Sequence, residues 1–245
     1  MQIADQRVKS AGVVFALALE ARTMGGHDGA HGEPFPLPGS HWGVIAGMGA
    51  EQARRATRRL LSQRVTHLMS WGLCGALEPG HDAGTIVIPD TLWVRGDETH
   101  AVDEVWRGVV ESRLSGRVPL LRGRLAHSDQ PLVSARDKAA LRTSSGAGAV
   151  DMESAAIAAV AREAGVPFMV LRAVADTAGQ DLPPAVVSAV APGGGLRPWA
   201  VLKALLLAPG QIKGLCRLAG QTRRGVGQLR YAAGILRPDL GLGGD

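Results

Sequence analysis

Ala149-Val-Asp-Met-Glu-Ser154, followed after an alanine-rich run by Val166-Pro-Phe-Met-Val-Leu-Arg-Ala-Val-Ala-Asp176, is the stretch whose reading decides the fold. It reads as a helix carrying Met152 and Glu153 near its start, a break at Gly165-Val166-Pro167, and a buried strand from Phe168 to Ala175. Asp176 then stands at the strand's carboxyl end. Ligands of open α/β sheets sit outside the carboxyl ends of the strands, which places Asp176 at the expected crevice. Glu153 can face the same crevice, so two acids converge on one pocket.

Upstream, Val13-Val-Phe-Ala-Leu17 is a continuous apolar run, the pattern of a strand covered on both faces, and Glu20 follows it. Glu20 either points from the strand end into the crevice or serves as a helix cap or solvated acid. Gly25 to Ser40, with Pro34, Pro36 and Pro38, is a loop or edge segment. His27, His31 and His41, in or beside it, lack a metal-ligand spacing and read as surface residues. Trp42 to Ala46 is the next strand, and Gly47-Met48-Gly49 turns the chain into a helix from Glu51 to Gln63. There Ala53, Ala56, Leu60 and Leu61 share one side, and Arg54, Arg55, Arg58 and Arg59 form the wet side. Thr66 to Trp71 is a strand, and Gly72-Leu-Cys-Gly-Ala76 is expected as a glycine turn whose backbone N–H groups can approach a ligand. Thr91 to Val118 reads as a strand continuation, a polar loop and a short helix. In Leu125-Ala-His-Ser-Asp-Gln-Pro-Leu-Val133, His127 and Asp129 suit acid–base work by type, but nothing places them beside a nucleophile.

At 245 residues and 46% hydrophobic, the chain can bury a large core as one domain. Cys74 and Cys216 make no disulfide framework, so a reducing cytoplasm is expected. No apolar run approaches the roughly 18 residues of a spanning helix. Arg7 and Lys9 ahead of Ala11 to Leu19 imitate a signal peptide, but Glu20 closes the run and these residues serve better as a first strand. The net charge of +5 is unevenly placed: Met1 to Leu196 holds 19 basic and 20 acidic residues, giving −1, and Arg197 to Asp245 holds 8 and 2, giving +6. Basicity is a property of the tail, whose only aromatics are Trp199 and Tyr231, and nucleic acid is not an expected partner.

The run Val150-Asp-Met-Glu-Ser-Ala-Ala156, together with Arg172-Ala-Val-Ala-Asp176, resembles the nucleoside phosphorylase/nucleosidase family, most of all its adenosine-thioether nucleosidases. The resemblance extends over roughly Val13 to Asp176 and implies an α/β fold, a single-domain three-layer α/β/α with a mixed central sheet. It implies that Met152 and Glu153 hold the ribose and that Asp176 protonates N7 of the leaving purine. It further implies that Glu20, in an Ala-x-x-x-Glu arrangement beginning at Ala16, orients the attacking water as general base, with Ala16 against the substrate. Gly72 to Ala76, with Gly84 to Asp90, is similar to the family's second motif, so Leu73, Cys74 and Gly75 are expected beside the ribose and nucleophile. Leu125 to Val133 aligns with the stretch that holds the base, which gives Gln130 and Leu132. Phosphorylase members carry arginines at two positions occupied here by Glu20 and Ser70, so water is the expected nucleophile. Neither a metal nor another cofactor is expected. After Asp176 the chain departs from the family: Gly179 to Gly195 is apolar and turn-rich where the family is polar, which implies a larger, greasier 5′ substituent on the nucleoside.

Pro198 opens a tail expected in three helical pieces, broken at Pro209-Gly210 and near Gly220. Ile212, Leu215, Cys216 and Ala219 share a face of the second piece; Val226, Leu229, Ala233 and Leu236 share one of the third. Between Leu182 and Arg237 there is no acid. Apolar stripes backed only by cations fit helices lying in an anionic membrane interface, with residues 197–237 as the contact, or a C-terminal helix packed on the core with a charged outer face. The chain is accordingly divided into a catalytic domain, 1–196, and a basic amphipathic helical tail, 197–245. Core and tail together resemble the hopanoid-biosynthesis-associated members of the family, implied to release adenine from adenosylhopane at the inner membrane face. The family also implies a homo-oligomer, dimer or larger. A phosphate-dependent enzyme, a soluble methylthioadenosine or adenosylhomocysteine nucleosidase, and a non-catalytic adenosine-ligand-binding protein are the alternatives.

Overall fold

In the computed structural model of the chain, which describes residues 9–26, 30–183 and 212–243, the sheet is built outward from strand β4, His67–Ala76. Strand β1 (Ala11–Phe15) runs parallel to β4 over His67 to Ser70, and β11 (Phe168–Asp176) runs parallel along its other edge over nearly the whole length. Outside β1 lie β3 (His41–Ile45), parallel, and β2 (Pro34–Leu37), antiparallel at the sheet's border. Prolines, which cannot donate to a ladder, are tolerated at such an edge. Beyond the end of β1, β10 (Ala149–Asp151) takes over the same edge of β4 in the antiparallel sense, pairing Val150 with Gly75. The sheet continues through β9 (Arg124–His127), β6 (Thr91–Arg95) and β7 (Glu98–Ala101), while β5 (Ile86–Val87) and β8 (Leu120–Leu121) extend it from β11.

The central strands are apolar without interruption because helices cover both faces. Val13, Phe15, Met69, Trp71, Met169 and Leu171 face α3 (Glu104–Leu114) and α6 (Ile212–Leu236) through Trp106, Val110, Leu229, Ala233 and Leu236. Val14, Leu68, Val170 and Val174 face α2 (Ala50–Leu61) and α5 (Ser154–Ala164), whose Ala156, Ile157 and Ala161 lie in the same cluster as Ala53, Ala56 and Leu60. Two shorter helices close the ends: α1 (Ala18–Ala21) follows β1, and α4 (Ala135–Ser145), capped by Ser134 Oγ accepting from the Asp137 N–H at 3.0 Å, follows β9. The result is the three-layer α/β/α arrangement with a mixed sheet.

Several local expectations are corrected. Ala149 to Asp151 is a strand: the edge of β4 vacated by β1 needs backbone partners, and Ala149 and Val150 supply them, so α5 starts at Ser154 with Glu153 as its N-cap residue. Gly72 to Ala76 is strand too, in register with β11, and its glycines serve close approach. His41 is buried. The Ala11 N–H donates to its Nδ1 at 3.0 Å, which leaves Nε2–H to donate to the Pro238 carbonyl at 2.8 Å. α6 runs unbroken through Gly220; a glycine costs a helix about 1 kcal/mol, and burial of the helix's inner face offsets it. Residues 184–211, with the apolar stretch beyond Pro183, the expected first helical piece and the break at Pro209-Gly210, lie outside the described residues, as does His27.

Candidate active site

The pairing of β4 with β1 ends at Ser70, and its pairing with β10 begins at Gly75, so the strand edge between them opens. Glu20, in the single turn of α1, fills the opening. Its Oε1 accepts from the Leu73 N–H, and its Oε2 accepts from the N–H groups of Ala16 and Leu17, all at 2.9 Å. The carboxylate thus satisfies three donors that the break in the ladder leaves without strand partners. This reconciles the two readings of Glu20: it caps backbone and it lines the crevice. Burial raises its pKa above the ordinary carboxylate value, against the pull of Arg172 and the three N–H groups.

Behind Glu20 lies a charge cluster. Arg172 points from β11 across Gly72, and a Cβ at Gly72 would stand 2.5 Å from both Arg172 Nη1 and Glu20 Oε1, so only glycine admits the two groups there. Arg172 Nη2 meets Asp151 Oδ2 at 2.6 Å, Ser70 Oγ at 2.8 Å and Glu153 Oε2 at 3.7 Å. Burial opposes the charge on Arg172, but Asp151, Glu153 and Glu20 outweigh it and raise its pKa. Glu153 receives the Gly49 N–H on Oε1 at 2.8 Å. Gly47 and Gly49 hold φ of 91° and 99°, which turns that N–H toward it.

Asp176, at the end of β11, meets Lys138 of α4: Nζ donates to Oδ2 at 2.5 Å. Burial raises the Asp176 pKa, and Lys138 restrains the rise. The sheet opening, α4 and the loop after β9 enclose a cavity of about 200 Å³. Every residue that the resemblance assigned to the site lines it: Ala16, Glu20, Leu73, Cys74, Gly75, Gln130, Leu132, Met152, Glu153 and Asp176. His127 and Asp129 bond each other at 3.1 Å in a separate depression with Arg95 and His100.

Residues 41–206 match the family model described as the phosphorylase superfamily.

The chain belongs to the phosphorylase superfamily.

Solved structures agree on the fold. The 5′-methylthioadenosine/S-adenosylhomocysteine nucleosidase from Neisseria meningitidis, in complex with methylthio-immucillin-A, is 18% identical at a TM-score of 0.69, covering 94% of this chain and 99% of that one. The futalosine hydrolase of Helicobacter pylori strain 26695 is 16% identical at 0.66, covering 92% and 97%. A methylthioadenosine/S-adenosylhomocysteine nucleosidase from Colwellia psychrerythraea, in complex with adenine, is 19% identical at 0.62, covering 91% and 96%. No curated protein matches the chain in sequence.

Within this superfamily member, sequence reasoning left three charged residues of the site without a role. Asp151 and Arg172 stood in the quoted motifs but were given no task. Lys138 was missed altogether, although its spacing carried a signal: Lys138, Leu141 and Ser145 recur at three and four on one face of α4, and Lys138 and Ser145 are buried. Met48 and Leu182 also line the cavity.

Proposed function

We propose that this phosphorylase-superfamily chain is a purine nucleosidase that hydrolyses the N-glycosidic bond of a 5′-substituted adenosine. One observation carries the reading: Glu20, Glu153 and Asp176 meet around one cavity, and the only cation in its lining among the described residues, Lys138, is bonded to Asp176. A second charge, Arg172, is buried among Asp151, Glu153 and Ser70 and stands outside the lining. No cation of the lining, among the described residues, is left to hold an inorganic phosphate, and on this reading water is the nucleophile.

In this scheme Glu153 accepts hydrogen bonds from the ribose hydroxyls and fixes the sugar. Glu20, its basicity raised by burial, takes a proton from the water as its oxygen bonds to C1′. The C1′–N9 bond breaks, its electron pair enters the purine, and Asp176 delivers a proton to N7. Leu73, Cys74 and Gly75 flank the sugar, Ala16 and Met152 border it, and Gln130 and Leu132 lie along the base. A positioned proton donor contributes about 10²–10⁴-fold, so Asp176→Asn lowers kcat by that order while the far-ultraviolet circular dichroism stays unchanged.

The substrate we favour is adenosylhopane, cleaved to adenine and a ribosyl hopane. Leu17, Met48 and Leu182 supply apolar lining for a 5′ chain, and the tail supplies a cationic face for a lipid surface. On this reading residues 1–196 carry the chemistry, 197–245 bring the enzyme to the cytoplasmic leaflet, and the protein works as a homo-oligomer. No helix among the described residues is long and apolar enough to cross a membrane. The decisive experiment incubates the purified full chain with adenosylhopane, methylthioadenosine or adenosylhomocysteine, with and without phosphate, and assays free adenine. Release from adenosylhopane without phosphate is the expected result. Strict dependence on phosphate overturns hydrolysis, and preference for the thioethers overturns the lipid substrate.

A further inference from the structure

Lys138 is only 1% exposed, and its ammonium group meets three acceptors: Asp176 Oδ2 at 2.5 Å, the Thr177 carbonyl at 2.9 Å and the Gln180 carbonyl at 3.1 Å. An ammonium has three N–H donors and no acceptor, so three carbonyl or carboxylate partners match its charged form and leave a neutral amine's lone pair facing oxygen. The resting pair is therefore an ammonium and a carboxylate. This creates a difficulty for the reaction proposed above, because a carboxylate at Asp176 has no proton to give a departing purine.

The surroundings narrow the source of that proton. Among the described residues, Cys74 from β4 and Lys138 from α4 are the titratable groups facing Asp176, and the lining beyond them adds only the acids Glu20, Asp151 and Glu153. Cys74 is a poor source: burial holds its thiol well above its ordinary value, and no hydrogen bond joins it to Asp176. Glu20 and Glu153 are committed to other bonds, to backbone N–H groups and to Arg172. Lys138 alone is a donor already joined to the carboxylate.

We propose that Lys138 holds the proton that Asp176 hands to the departing base. The inference rests on the nucleosidase reading. As the C1′–N9 bond breaks and its electron pair enters the purine, N7 becomes basic. Lys138 Nζ gives a proton to the Asp176 carboxylate, which passes one to N7. The bond from Nζ to its proton and the C1′–N9 bond are lost; the N7–H bond and the C1′–O bond to water are gained, with the water's proton on Glu20. After product release, Glu20 returns its proton to solvent and Lys138 regains one, so nothing is consumed beyond water. Lys138 touches no reacting atom and acts through Asp176 as a positioning residue.

The test is the pH profile of kcat for adenine release by the full chain and by Lys138→Met. With Lys138 as reservoir, wild-type kcat does not fall between about pH 6 and about pH 9, above the range in which carboxyl groups ordinarily titrate; a rise through about 7 belongs to Glu153 releasing its proton. Lys138→Met forces Asp176 to hold its own proton, so the variant keeps activity in acid and falls about 10²–10⁴-fold below wild type at pH 8. Its alkaline limb moves to lower pH. A limb that stays put with a uniform loss at every pH marks a merely structural role, and a limb that moves to higher pH shows that the lysine only opposes protonation of Asp176; either overturns the proposal. Should the variant fail to fold, the wild-type profile decides, because a kcat that declines through the carboxyl range overturns it. Absence of adenine release from wild type fails the nucleosidase reading and this one together, whereas release with either contrary profile fails this one alone.

Discussion

Burial pushes the Glu153 carboxyl up to about 7, Asp151 and Glu20 add to the push, and Arg172 and the Gly49 N–H restrain it. The folded protein therefore holds a proton on Glu153 that the unfolded chain, at its ordinary 4.5, has already released. The stability contributed this way is fully present below 4.5 and is lost as pH rises through about 7. Glu153→Gln removes the titration and leaves the side chain able to bond the Gly49 N–H. His41, His67 and His100, which burial pushes below the ordinary histidine value, titrate in the opposite sense and blur the raw pH dependence. The informative quantity is the melting temperature of the variant minus that of wild type. It should rise from about pH 5 to about pH 8, because wild type alone loses the contribution. A difference that stays constant across that interval removes Glu153 as the titrating group. Gly72 makes the same cluster possible at the level of a single missing atom, since any Cβ there collides with both Arg172 and Glu20.

Helix α6 shows how an element divides its two faces. Leu229, Ala232, Ala233 and Leu236 are fully buried against β11 and the sheet, while Lys213, Arg217, Arg223, Arg224 and Arg230 are exposed. Gly225 sits where a Cβ would come 2.8 Å from Leu73 Cδ2 and 3.1 Å from the Val174 carbonyl, so the helix rests directly on strands that carry the site. Leu229→Ala should cost about 2–5 kcal/mol in urea unfolding, in the range of buried leucine truncations, whereas Arg223→Ala should stay within about 0.5 kcal/mol. Equal, small costs for both would place α6 off the core. The stripe Leu229, Ala233, Leu236 was legible in the sequence because spacings of three and four mark a helix face. So were β1, β3, β11 and the inner face of α2, where apolar runs or periodicity extend over five residues or more. The strand at Ala149 to Asp151 was not, since three residues carry no period and their partner, Gly75-Ala76, lies far away in sequence. Gly72 to Ala76 looked like a turn because glycine's two uses, positive φ and close approach, cannot be told apart without knowing what approaches. Of the site, the acids were legible by motif and by position at strand ends, but their cations were not. Arg172 was hidden inside an apolar strand, and Lys138 lay on a helix whose importance depends on the distant Asp176.

At the scale of the whole molecule the uneven charge sets the behaviour. The described part of the tail spends its apolar stripe on the core, so the membrane contact proposed for it is electrostatic, through the cationic outer face of α6. Five exposed cations, Lys213, Arg217, Arg223, Arg224 and Arg230, stand on α6 with no acid within the helix to neutralise them. At about 1 kcal/mol for each basic residue near an anionic surface, they give a few kcal/mol at low salt, and screening shortens their reach to about 8 Å at physiological ionic strength. The full chain should therefore float with vesicles rich in phosphatidylserine, fail to float with neutral phosphatidylcholine vesicles, and be released as salt is raised. Reversing Arg223 and Arg230 to Glu should abolish flotation and leave adenine release from a water-soluble nucleoside unchanged, because neither residue lines the cavity. Flotation that persists on neutral vesicles, or that survives the reversal at high salt, would assign the contact to an apolar segment instead of α6.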